Sequence, residues 1–352
     1  MPIFVIPGVF FVIASIYNLS RPPKIKVKAF LFPAFCTFAL MLIGNDYGID
    51  IPAYKLYYKE IESINFWEHH VEIGYAALME AAKRLDFGFH AFLFIVNVIL
   101  FYSLYTTCNK YSCYIALSWL IIFSAYSGYF HTILRQGVAL SFTIYSLKYI
   151  ISKNLRNYVI CCLIAICCHY SAVFFFPAYW IANRTPLKLK TGLIILALLF
   201  PTVLLDTTHV INRIAGIIGI NPLYINLYLD SQSELHERAG LSLGLIIKFL
   251  CFLIYAVSYK KNSRTECVLY NLNLFYLIVY LPLSSISMLS ARGLDYYKIF
   301  ECISLPYSIY NQKNMVLKWL FALFIISYCV YSSYINFIEF PKMESALYRM
   351  LA

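Results

Sequence analysis

Charge is what this sequence has least of. Asp, Glu, Lys and Arg make up 13% of the 352 residues, and hydrophobic residues 61%. A soluble domain averages about 25% charged. A deficit of that size excludes a soluble globular fold and leaves an all-α, polytopic integral membrane protein. Acids are the scarcer sign, with 17 Asp and Glu against 28 Lys and Arg, for a formal charge of +11. In a soluble chain that excess would suggest nucleic acid. Here the basic residues sit in short loops between apolar runs, where Lys and Arg set topology, so no nucleic-acid partner is expected. Cysteine is missing from the long polar loops. Cys161, Cys162, Cys167 and Cys168 fall within one apolar segment, where cysteine is small apolar filler rather than a redox pair. No His-x-x-x-His or Asp-x-Asp spacing occurs, so no metal is expected. The N-terminus carries no cationic stretch and no small-residue cleavage site, so the first run is read as a retained helix.

Apolar runs stand at about 2–20, 29–44, 88–108, 113–130, 133–151, 158–182, 191–206, 241–259, 267–287, 293–310 and 315–334. With about 20 residues needed per crossing, they predict a single transmembrane domain over 1–352, a bundle of about 10–12 membrane segments. Arg21, Lys24, Lys26 and Lys28 follow the first run, and Lys153 and Arg156 the fifth. Arg184, Lys188 and Lys190 follow the sixth, and Lys260, Lys261 and Arg264 the eighth. These four loops read as cytoplasmic. The two longest loops, 45–87 and 207–240, carry most loop carboxylates and read as outer. A parity conflict results, because both flanks of run 158–182 are basic. Either that run dips in and returns, with His169, Tyr170 and Ser171 at its centre, or it crosses once beside a misleading basic loop. A break at membrane depth requires protein or a wet cavity around it.

Charged residues near a membrane core are functional candidates by default. The first outer loop opens on Gly44-Asn45-Asp46-Tyr47, then Tyr54, then Glu72-Ile73-Gly74-Tyr75. Asp46 at the mouth of the bundle can serve as a general base or be a solvated loop acid. Segment 71–85 predicts an interfacial helix with Val71, Tyr75, Leu78, Ala82 and Leu85 on its apolar side and Glu80, Lys83 and Arg84 opposite. Glu72 in its first turn complements the helix dipole or joins the chemistry. Arg135 and Gln136 open the fifth run without an acid nearby in sequence. Arg135 is either a phosphate-binding guanidinium or a snorkelling cation. Arg292 precedes Asp295, Lys298 and Glu301, whose spacing of three allows pairing on one helix face. Asp46, Glu72, Arg135 and Arg292 all fall at the outer side, and His169 joins them if the dip exists. Guanidiniums, carboxylates and a histidine together suit a membrane-embedded phosphate and a hydroxyl nucleophile.

In order, Gly44-x-Asp46-Tyr47 with Tyr54, Glu72-x-Gly74-Tyr75, Arg135-Gln136, His169-Tyr170-Ser171-Ala172 and Arg292-x-x-x-Tyr296 with Pro306 resemble the EpsG family of bacterial exopolysaccharide and O-antigen polymerases, the Wzy-type enzymes. The likeness runs from about 40 to 310. One departure is Leu40-Met41-Leu42-Ile43, where the family often has an arginine. The resemblance implies a GT-C-like glycosyltransferase that joins undecaprenyl-diphosphate-linked oligosaccharide units at the outer face of the inner membrane. It implies no cofactor, since a polyprenyl diphosphate is already a good leaving group. It implies Asp46, His169 or Glu72 as base, Arg135 and Arg292 on the diphosphate, and Gln136, Tyr54, Tyr75 and Tyr296 in substrate binding. Its partners are the lipid-linked oligosaccharide, membrane lipids and a chain-length regulator protein. The rivals are a lipid-linked oligosaccharide flippase, which needs charge spread through the core, and an O-antigen ligase, which carries a large outer loop.

Overall fold

Apolar runs that cannot expose backbone to lipid must close their hydrogen bonds internally, and every run folds as helix in the computed structural model. It describes residues 2–22, 28–42, 48, 50–61, 71–205, 213, 242–284 and 287–339, and no strand occurs among them. In chain order the helices are α1 (Pro2–Leu19), α2 (Lys28–Leu42), α3 (Ile51–Glu60), α4 (Ile73–Arg84), α5 (Phe89–Tyr111) and α6 (Ile115–Tyr126). They continue as α7 (Leu134–Tyr145), α8 (Leu155–Cys168), α9 (Ala178–Ala182), α10 (Leu189–Leu199), α11 (Leu243–Ala256) and α12 (Arg264–Leu283). The last three are α13 (Ser287–Lys298), α14 (Glu301–Tyr310) and α15 (Met315–Tyr334).

Among the described residues, the helices at Phe89–Tyr111, Arg264–Leu283 and Met315–Phe337 are long and apolar enough to cross a membrane unaided. The other apolar helices are shorter because turns divide several runs. One turn at Ser146 separates α7 from Leu147–Ile151, and another at Ile299–Phe300 separates α13 from α14. Helix α6 lies at the centre, with Ala116 through Ser124 all buried, as a helix apolar all round requires. On α5, Phe92, Val96, Leu100 and Leu104 are buried while Phe94, Val98 and Tyr102 are exposed. The exposed three recur every four residues and form an outward apolar stripe suited to lipid.

The loops expected to be cytoplasmic gather at one end of the bundle. Arg264 donates to the carbonyls of Ile150 and Ile151 and to the side chain of Asn183. Asn271 Nδ2 donates to the Arg184 carbonyl at 2.8 Å, and Asn311 Nδ2 to Glu266 Oε2 at 2.5 Å. Lys318 Nζ reaches the Leu19 carbonyl at 3.4 Å.

Run 158–182 enters and leaves at that same end. Helix α8 rises 14 residues, about 21 Å. It stops at His169, whose backbone is extended (φ −160°, ψ 121°), and a 3-10 turn over Tyr170–Phe175 leads down into α9. The Tyr158 hydroxyl donates to the carbonyls of Phe175 and Phe176 at 2.6 and 3.1 Å. In a straight helix those 17 residues would be about 26 Å apart. The segment is therefore a hairpin with His169 at its tip, which satisfies the parity drawn from the basic loops.

The 71–85 helix forms, with one correction to its faces. Tyr75, Ala82 and Val71 are buried as expected, but Glu80 is buried too, and Leu85 is exposed. Glu80 is drawn inward on the same face as Tyr75, Ala76 and Met79, and pairs one turn on with Arg84. Lys83 reaches across to the carbonyls of Lys59 and Ile61 at 2.9 and 2.8 Å, closing the end of α3. The pairing expected among Asp295, Lys298 and Glu301 is also corrected. No ion pair within 4 Å joins them among the described residues, because the helix is interrupted after Lys298 and other partners intervene. Asp295 accepts from the Tyr129 hydroxyl, Glu301 from the Tyr328 hydroxyl at 3.3 Å, and Lys298 lies over the Tyr126 ring. All but residue 213 of the expected outer loop 207–240 lies outside the described residues.

Candidate active site

At the end opposite the basic loops, three elements distant in sequence meet on one carboxylate. Glu72 occupies the N-cap position of α4, yet its side chain caps nothing. Its Oε2 accepts from Arg135 Nη1 at 2.7 Å, and its Oε1 lies 2.5 Å from His169 Nδ1. The Glu72 side chain is 4% exposed, Arg135 28% and His169 15%. This cluster lies within the bundle, with Arg135 its most exposed member. Arg135 is thus neither unpaired nor snorkelling, and Glu72 gives up helix capping for the pair.

Because a carboxylate only accepts, Nδ1 of His169 carries the hydrogen, and in the neutral ring Nε2 keeps its lone pair. Burial alone would raise the Glu72 pKa. The hydrogen bond from His169 and the positive charge of Arg135 outweigh it and hold the carboxyl below its ordinary value. Helix α4 reaches this position by a close approach to the hairpin. A Cβ on Gly74 would stand 2.9 Å from the Cys167 carbonyl, so only glycine lets α4 rest on the end of α8.

Around this centre the guanidinium of Arg135 sits 5.9 Å from the ring centre of Tyr54, which packs on Tyr75 at 5.7 Å. Tyr75 is fully buried, and among the described residues its hydroxyl has no hydrogen-bond partner. Arg135 Nε is likewise buried without a partner there. Gln136 Nε2 donates to the Arg292 carbonyl at 2.6 Å, tying α7 to α13. Tyr296, also fully buried, meets Ser171 Oγ at 3.0 Å and ties the hairpin tip to the same helix. These two fix the frame in which Arg292 is presented. Arg292 is half-buried and has no carboxylate within 4 Å among the described residues.

Asp46 lies outside the described residues. The carboxylate seen near both arginines is Asp50, absent from the sequence reading. Burial raises its pKa, and the charges of Arg292 and Arg135 oppose that rise. Its sequence signal was that of a helix start, since Asp50-Ile51-Pro52 reads as an N-cap followed by an early helical proline. Next to it, Gly48 approaches the backbone of His131 so closely that a Cβ would stand 2.0 Å from the carbonyl oxygen. Gly48 is thereby seated against the backbone just before α7.

The fold and site define an apolar helical membrane protein with an acid–histidine–arginine centre buried near one end of its bundle. The EpsG family model matches residues 29–350. The chain belongs to the EpsG family, a Wzy-like family of polysaccharide polymerases. No curated protein and no solved structure matches it.

Proposed function

We propose that the protein polymerises undecaprenyl-diphosphate-linked oligosaccharide repeat units into O-antigen, capsular or exopolysaccharide chains, at the outer face of the bacterial inner membrane. The carrying observation is Glu72 shared between Arg135 and His169 at 2.7 and 2.5 Å. That arrangement sets a base and a cation side by side, the two needs of glycosyl transfer from a diphosphate. In this reading the whole chain is a single GT-C-like transmembrane domain, and the loops at 45–87 and 207–240 face outward.

The growing chain on its lipid diphosphate is the donor, and a hydroxyl of the incoming unit is the acceptor. As that oxygen bonds to the anomeric carbon of the donor sugar, the bond from carbon to diphosphate breaks. The electron pair leaves with undecaprenyl diphosphate, and the hydroxyl proton passes to a base. His169 suits that role through Nε2, with Glu72 fixing its tautomer and orientation in the way a carboxylate orients a catalytic imidazole. Asp46, from the adjoining loop, is the alternative base. Arg135 retains donors beyond the one given to Glu72, and Arg292 supplies a second fork. Both stabilise the charge that develops on the leaving diphosphate. Tyr54 and Tyr75 shape the floor beneath Arg135, while Gln136 and Tyr296 position Arg292 and the hairpin.

Purified protein given lipid-linked repeat units should produce a ladder of longer chains. No polymer, with movement of the lipid across the bilayer instead, would replace this reading by a flippase. The observation that favours such a rival is charge inside the bundle at Lys248 and Glu301.

A further inference from the structure

A cavity of about 250 Å³, apolar over most of its wall, lies between α11, α14 and α15. Lys248, Lys298, Glu301, Tyr328, Ser332 and Asn336 contribute to its wall. Neither ammonium has a carboxylate within 4 Å among the described residues, where each lies over a tyrosine ring instead. Lys248 sits 4.8 Å from the Tyr280 ring centre and Lys298 5.5 Å from that of Tyr126. On the cavity wall two lysines stand against one carboxylate, Glu301, and the Asp295 carboxylate acts on Lys248 from outside the wall. A buried ammonium without a hydrogen-bonded counter-ion is costly, and neither lysine has one among the described residues, so the pair can take a directly bonded anion.

Helix α13 links this cavity to the site already described. Arg292 and Lys298 are six residues apart on it, about 9 Å along its axis. Asp295, between them, is occupied by the Tyr129 hydroxyl. The helix therefore presents one cation to each of two chambers. The cavity also adjoins the lipid-facing surface. Leu243, Ile246 and Leu250 are exposed on α11 beside Lys248, as are Val330 and Tyr334 on α15 beside Tyr331 and Ser332. An anion carried on a prenyl chain can therefore be seated with its tail still in the bilayer.

We propose that Lys248 and Lys298 bind the diphosphate of the lipid-linked acceptor, a seat separate from the donor diphosphate at Arg135 and Arg292. This rests on the polymerase reading. The acceptor's diphosphate lies at the opposite end of its repeat unit from the attacking hydroxyl, so it cannot share the donor's seat. Glu301, held aside by Tyr328, limits repulsion between the lysines when the seat is empty.

The test uses the full chain in phosphatidylcholine nanodiscs with farnesyl diphosphate as probe. Two binding events are expected. Lys248→Gln and Lys298→Gln should each weaken one event by roughly tenfold or more, as loss of a charge-assisted bond predicts. In polymerisation the same variants should raise KM for the acceptor and leave kcat and the donor KM within about twofold. Lys298→Arg should restore binding, which separates a lost charge from a damaged fold. Two unchanged events in the double glutamine variant would overturn the assignment. So would a single event in the wild type, or displacement by inorganic pyrophosphate as effective as by farnesyl diphosphate, which would mark a soluble-anion site. A wild type that makes no polymer yet keeps a lysine-dependent second event would refute the polymerase reading and leave the lipid-diphosphate site standing.

Discussion

Replacing Glu72 by Gln alters the geometry by one atom type and removes the charge on which two cation-forming groups converge. The side-chain amide can accept from Arg135 or from His169, but its NH2 then faces the remaining donor. A hydrogen bond to a charged group contributes about 1.5–3 kcal/mol, so two make about 3–6 kcal/mol. Arg135 is 28% exposed and His169 15%, and water recovers part of that, leaving about 2–4 kcal/mol lost. In a chain of this size about 2 °C follows each kcal/mol, so the melting temperature should fall by about 4–8 °C near neutral pH. The pH dependence has a defined sign. A carboxyl held below its ordinary pKa of 4.5 stabilises the fold above that pH and loses the contribution as pH falls through the lowered value. The gap between wild type and Glu72→Gln should thus stay constant down to about pH 5 and close below it, where protonated Glu72 resembles glutamine. Polymerisation should drop by about ten-thousand-fold, the order of loss when the carboxylate that orients a catalytic imidazole becomes its amide. Scanning fluorimetry of nanodisc-held protein across pH, beside product length on a gel, reads both effects. Wild-type melting and wild-type chain length together would refute the shared-carboxylate reasoning.

Arg135→Lys should make little polymer at normal protein level, because an ammonium keeps charge and loses the planar fork; long-chain polysaccharide in such cells would show that charge alone suffices at this position. Gly74→Ala should push α4 off the Cys167 carbonyl and shift Glu72 with it, lowering activity by a larger factor than the small drop in melting temperature explains; unaltered turnover would mean the contact is slack. Asp46→Asn discriminates the two bases: full-length polymer is expected and leaves the role with His169, whereas single, unpolymerised units on the lipid would assign it to Asp46. In a cysteine-depleted background, a cysteine at position 59 should react with an impermeant reagent added from outside and one at position 24 should not; reaction at 24 would invert the topology.

The helical class and the grouping of the basic loops were legible in the sequence, because composition and loop charge are forced directly by the lipid, whereas the return of run 158–182 was legible only as one of two alternatives. The convergence of Glu72, Arg135 and His169 was legible only as a shared side of the bundle. Which oxygen meets which nitrogen depends on packing between helices 63 to 97 residues apart, and no local pattern encodes that. Gln136 and Tyr296 illustrate the limit. The family resemblance puts both in substrate binding, and no local pattern foretells that Gln136 Nε2 meets the Arg292 carbonyl or that the Tyr296 hydroxyl meets Ser171. Glu80 was misplaced because charge alone assigned it to the wet face, while Arg84 one turn away lets it go inside. Asp50 carries no sign in the sequence of its approach to Arg135 and Arg292, which only the packed helices bring near it.

The hairpin carrying His169 has a consequence for how the protein is made. Its limbs, Leu155–Cys168 and Tyr170–Ala182, are each shorter than the roughly 20 apolar residues that stabilise an independent crossing. Neither limb is retained in the bilayer by its own hydrophobicity as the chain emerges. The hairpin settles as a pair once α7, α12 and α13 are in place, with α13 donating from the Tyr297 hydroxyl to the Phe174 carbonyl at 2.8 Å and meeting Ser171 through the Tyr296 hydroxyl at 3.0 Å. Arg135 is in place early in synthesis and the histidine arrives late, so a nascent or truncated chain has a cation but no oriented imidazole. The contacts that hold the hairpin tip to Tyr296 and Tyr297 thus form only after α13 has been made.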